Sequence, residues 1–171
     1  MYKRQFHARA SALARRYVYV LLESAVRPSL EHGRAGWVFR PLSLPDLQAA
    51  AAHLLGRHDF TSFRASSCQA LSPVKHLRRL DISRHGAYWR FEFEADAFLH
   101  HMVRNLMGCL LAVGQGLHAP DWIADVLAAR SRAVAAPTFA PDGLYFLGPV
   151  YAPHWDLPDR VPGLDWLPQS P

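Results

Sequence analysis

The sequence predicts an α+β fold, an antiparallel or mixed sheet with helices on one face. Two-residue alternation near the N-terminus, a central hairpin of alternating aromatic and charged residues, and an amphipathic helix that follows it carry that prediction. The element order is strand, helix, hairpin, helix, helix, strand. No internal repeat and no linker divides the chain, and 171 residues, half of them hydrophobic, suit one domain.

Taken in order, Arg16 to Glu23 alternates, with Val18, Val20 and Leu22 on one side and Tyr17, Tyr19 and Leu21 on the other. Both faces of that strand need cover, or one needs a ligand. Arg27 to Arg40, with Pro28, Gly33 and Gly36, reads as a loop. Ser43 offers a helix N-cap, with Pro45 in the first turn and an alanine-rich run to Leu55, and Gly56 closes the helix. His58 to Pro73 is polar and irregular and reads as a long loop. A strand from Val74 to about Ser83 turns at His85-Gly86 into Tyr88 to Ala97. Trp89, Phe91, Phe93 and Ala95 there alternate with Arg90, Glu92, Glu94 and Asp96, so one hairpin face is buried and the other wet. The next helix, from about Phe98 to Val113, carries Leu99, Met102, Val103, Leu106, Leu110 and Val113 on one stripe. Asp121 opens a short helix through Ala129, and Leu144 to Tyr151 is the final strand. Helices on one face leave the other face of the sheet open for a ligand.

Composition narrows the function. Lys and Arg number 19 against 14 acids, for a formal charge of +5, and 17 of the 19 are Arg. A planar guanidinium fork suits phosphates and base edges, so the balance favours a polyanionic partner. Cys68 and Cys109 form no C-x-x-C pair, which excludes a cysteine zinc site and a disulfide framework. His100-His101 lies outside any helical zinc signature, no phosphate-binding glycine loop occurs, and no apolar run approaches bilayer length. Neither a metal nor a nucleotide cofactor is expected. The basic start, with Lys3, Arg4, Arg9, Arg15 and Arg16, superficially suggests a transit peptide, but the strand beginning at Arg16 favours a cytoplasmic protein.

Candidate functional groups concentrate in Phe98-Leu-His-His-Met-Val-Arg-Asn105, which sets two imidazoles and a guanidinium at the entrance of an apolar helix. On a helical wheel Arg104 lies nearly opposite the buried stripe, with His101 flanking it. Tyr17 lies on the opposite side of its strand from Val18, Val20 and Leu22. Arg9, Arg15, Arg16, Arg64, Lys75, Arg78 and Arg79 could add a phosphate-reading surface. The residues themselves thus reach only as far as a basic α+β domain, with RNA one candidate polyanionic partner and a solvated basic surface the other reading.

Four segments in order resemble the successive motifs of the tRNA pseudouridine synthase A family. They are Phe6 to Tyr19, Gly56-Arg-His-Asp-Phe-Thr-Ser-Phe-Arg64-Ala, Phe98 to Asn105, and Ala135-Ala-Pro-Thr138 with Asp142-Gly-Leu144-Tyr145. The resemblance covers residues 6–151, with 1–5 a non-matching leader and 152–171 an irregular proline-rich tail. It implies the C-terminal part of the pseudouridine synthase fold, around a basic RNA cleft. The implied activity converts uridine to pseudouridine at positions 38, 39 and 40 of the tRNA anticodon stem-loop, in a homodimer without cofactor. By position, Tyr17 matches the tyrosine that stacks on the target base, with a role as general base at C5 also implied, and Arg104 the basic residue that pairs with a catalytic aspartate. Leu144 matches an apolar residue of the uracil pocket. Arg15, Arg16, Arg64 and His101 are expected to bind the substrate. The family's aspartate lies in a G-R-T-D-x-G-V-H-A motif, and none of Asp59, Asp81, Asp96 or Asp142 stands in that context. The expectation is therefore a C-terminal part whose catalytic aspartate belongs to a missing N-terminal half; the alternative is a non-catalytic RNA-binding module.

Overall fold

The computed structural model describes residues 5–158; most of the expected leader and much of the proline-rich tail lie outside the described residues. Six strands and three α-helices follow in chain order: β1 (Ala12–Glu23), β2 (Gly36–Val38), α1 (Leu44–Ala52), β3 (Gly56–Asp59), β4 (Val74–His85), β5 (Tyr88–Ala95), α2 (Met102–Gly114), α3 (Trp122–Ala129) and β6 (Leu144–Tyr151). The sheet runs β2-β1-β5-β4-β3, with β6 also paired to β1. Among the described residues only β1 and β2 pair in parallel, so the sheet is mixed.

Pleat alternation decides the layers. From β1, Tyr19 and Leu21 join Trp89, Phe91, Phe93 and Ala95 of β5 beneath the helices, in a core that takes in Leu106, Leu110 and Val113 of α2 and Ile123 and Val126 of α3. Each fully buried large side chain contributes roughly 1.5–3 kcal/mol. Val18, Val20 and Leu22 face the other way into a smaller cluster with Ala35 and Leu147. The rest of that second face is charged, and Arg79 bonds Glu92 there. Both faces of β1 are therefore covered, as its two apolar sets require.

Local chemistry places the helices. Ser43 Oγ accepts the Asp46 N–H at 3.4 Å and caps α1, with proline in its first turn. The wet and dry faces of the β4–β5 hairpin fall as its alternation predicts.

Four expectations need correction. The supposed loop from Arg27 to Arg40 contains β2, whose three residues are too few to show a period and whose strand character comes from pairing with β1. Gly56, at φ +100°, does not close α1, which stops at Ala52; it opens β3, so the polar stretch after it starts as an edge strand against β4. The central helix starts at Met102 rather than Phe98, because His101 adopts φ +60° and a left-handed residue cannot continue a right-handed helix. Finally, the candidate residues Tyr17, Arg104 and Leu144 gather on the helix-bearing side of the sheet, and on the opposite face the β1 part is filled by Val18, Val20, Leu22, Ala35 and Leu147.

Candidate functional site

The site forms where β1, β6 and the start of α2 meet the segment 135–143. In register, Tyr17 faces Phe146 and Tyr19 faces Leu144 across the β1–β6 pair, so all four side chains share one face. The Tyr17 ring stands edge-on to Phe98 and tilted against Phe146, both at 5.0 Å between centroids. Burial raises its pKa above the ordinary value, partly offset by the Arg15 charge.

Arg104 is half-buried in the first turn of α2. Its Nε donates to the Phe139 carbonyl at 2.8 Å, and the Phe139 N–H donates back to the Arg104 carbonyl at 3.1 Å. This reciprocal pair fixes the plane of the guanidinium, while its two terminal nitrogens bond nothing among the described residues. Gly108, one turn on, makes the approach possible: a Cβ there would stand 2.1 Å from the Pro137 carbonyl oxygen. Tyr19 closes the same corner, its hydroxyl donating to the carbonyls of Ala140 at 2.9 Å and Asp142 at 2.5 Å. Burial and the Asp142 charge raise the Tyr19 pKa, and the Arg104 charge opposes them.

The remaining expected residues fall in three places. Arg64 and His101 line one cavity beside the start of α2. Arg15 donates to the carbonyls of Arg9, Ala12 and Asp96, so its guanidinium serves the fold and reaches Tyr17 as a charge. Alternation sends Arg16 to the opposite face, beside Arg79, Glu92 and Glu94, apart from the others.

Sequence reasoning missed Tyr19, Asn105, Arg132, Thr138 and Phe139. Asn105 is buried, its amide donating to the Phe63 carbonyl at 2.8 Å and its oxygen accepting from Thr138 at 2.6 Å. A polar residue inside the apolar stretch of α2 was the available signal for Asn105, and a mid-helix glycine was the signal for the chain lying on it. Phe139 sits in irregular backbone and Arg132 opens a single 3₁₀ turn, Arg132–Val134, too short to show a period.

A mixed sheet carrying its helices on one face, with an anchored guanidinium and an aromatic face beside the middle of β1, is an α+β domain with a polar and aromatic corner on its helix-bearing side. A family profile described as tRNA pseudouridine synthase matches residues 50–152. The chain is 70% identical over 164 residues to the tRNA pseudouridine synthase A of Albidiferax ferrireducens, covering 96% of this chain and 63% of that protein. Against the Methylibium petroleiphilum protein of the same name, identity is 69% over 163 residues, with 95% and 63% covered. The Paracidovorax citrulli one is 63% identical over 181 residues, with 95% and 65% covered. The chain belongs to the tRNA pseudouridine synthase family, and it spans a little under two thirds of the length of these relatives.

Proposed function

We propose that these residues form the C-terminal part of a cytoplasmic, homodimeric tRNA pseudouridine synthase that converts uridines 38, 39 and 40 of the anticodon stem-loop without a cofactor. Arg104 carries this reading: its Nε is anchored on Phe139 and its terminal nitrogens bond nothing among the described residues. A guanidinium so held is suited to a carboxylate, which it keeps ionised. In the reaction the base leaves C1′, turns and rejoins through C5. Tyr17 offers a face for the base once it has left the stack, worth roughly 1–3 kcal/mol against an unstacking cost of a few. Leu144, opposite Tyr19, supplies an apolar wall. The aspartate that Arg104 would hold is contributed by residues outside these 171.

The test is Arg104→Ala in a full-length polypeptide that carries these residues. Single-turnover pseudouridine formation should fall by on the order of 100-fold while tRNA affinity changes less than about threefold. Equal losses in both, together with a smaller salt dependence, would make Arg104 a phosphate contact and favour an RNA-binding module without chemistry.

A further inference from the structure

Beside the start of α2 lies a cavity of about 540 Å³ whose polar lining includes Arg64, His101, Arg132, Thr61, Ser66 and Thr138, and no carboxylate. We infer that this cavity is a subsite for a backbone phosphodiester of the RNA, next to the nucleotide that is turned out; the inference rests on the function proposed above.

Both guanidiniums are already oriented. Arg64 donates through one nitrogen to the carbonyls of Cys68 at 2.7 Å and Ala70 at 2.9 Å. Arg132 donates to the Ala135 carbonyl at 3.1 Å and to Thr138 Oγ1 at 3.1 Å. A fork fixed by its own backbone loses less freedom when it engages an anion, and guanidinium geometry matches phosphate oxygens. Ser66 and Thr138 are exposed at the rim, so a polymer can pass through rather than end there. His101 is also exposed, and its pKa is lowered by desolvation and by the charges of His100 and Arg104. The surroundings are electropositive, which an anion would relieve.

Position supports the assignment. Thr138 lines the cavity while its neighbour Phe139 holds Arg104. On the other side, Phe98 touches Tyr17 three residues before His101 enters the lining. The cavity and the base-stacking corner thus share two short stretches of backbone. A phosphate gripped here would fix the register of the RNA while its base moves.

The experiment measures affinity of the full-length polypeptide for an anticodon stem-loop RNA across salt concentrations. Arg132→Gln should lower the slope of log K against log[salt] by roughly 0.7–0.9, the share of one phosphate, and Arg132→Lys should keep it. In parallel, single neutral methylphosphonates are placed at each phosphate around the target uridine. One position should weaken binding to the unaltered protein several-fold and have no further effect on Arg132→Gln. Should Arg132→Gln melt at a lower temperature, the methylphosphonate scan on the unaltered protein decides alone. An insensitive scan, or an unchanged slope in a stably folded Arg132→Gln, overturns the subsite while leaving the proposed function intact. Inorganic phosphate that protects Arg132 and Arg64 at constant ionic strength yet leaves RNA affinity unchanged would reassign the cavity to a free anion and also overturn it. If the unaltered protein fails to bind the RNA, the function itself has failed.

Discussion

Tyr19 is fully enclosed, and both bonds of its hydroxyl are donated to backbone carbonyls, so they exist only while the phenol keeps its proton. Its folded-state pKa stands above the ordinary value near 10. Above that value the unfolded chain binds fewer protons than the folded one, so stability falls as pH rises, by at most about 1.4 kcal/mol per unit for one group. Urea unfolding of the full-length polypeptide from pH 9 to 11.5 should show this decline, and Tyr19→Phe should flatten it. An identical alkaline slope in both would show that Tyr19 ionises freely in the native state. Tyr88 and Tyr145 are raised as well, so the decline should shrink rather than vanish. Arg104 could be picked out from the sequence because the helix period puts it off the apolar stripe, whereas Tyr17 shares its strand face with Tyr19 and Leu21 and was marked by the family resemblance alone. Arg132 could not, since its place depends on how an irregular segment crosses α2.

Among elements, α2 is buried almost all round, and Gly108 marks where segment 135–139 crosses it. Gly108→Ala should cost about 1–3 kcal/mol by overpacking, because its new carbon meets backbone rather than a yielding side chain. Thermal melts of the full-length polypeptide measure that cost. Displacing Phe139 should also loosen Arg104, so turnover should drop further than the stability loss explains; a variant with unaltered melting and turnover would show that the crossing segment is pliant. The main strands and helices were readable because each has a period. β2 was not, as its strand character is lent by β1, and the start of α2 was misjudged because the apolar stripe continues through Leu99 although His101 breaks the helix.

Over the whole molecule, Leu13 at 49%, Phe39 at 59% and Phe146 at 51% exposure lie on or beside the outermost strands of the β1 side, and β6 pairs only with β1 among the described residues. Apolar surface along a sheet edge invites association. A polypeptide of residues 1–171 alone should therefore melt below about 60 °C or aggregate, and should form no pseudouridine on an unmodified tRNA transcript. A sharp, concentration-independent melt above that temperature would reveal a self-sufficient unit, and measurable turnover would place the catalytic carboxylate within these residues.

The β1 strand meets β5 along one side, while β6 and β2 divide its other side between them, β6 from Ala12 to Tyr19 and β2 from Leu21 to Glu23. The β5 partner is some seventy residues away in the chain and the β6 partner well over a hundred. During synthesis, at about 5–20 residues per second, most of one flank of β1 would wait several seconds for residues 144–151 to leave the ribosome. The central strand of the mature domain is thus the longest-unfinished strand of the nascent one, which makes this interval a natural point for chaperone capture.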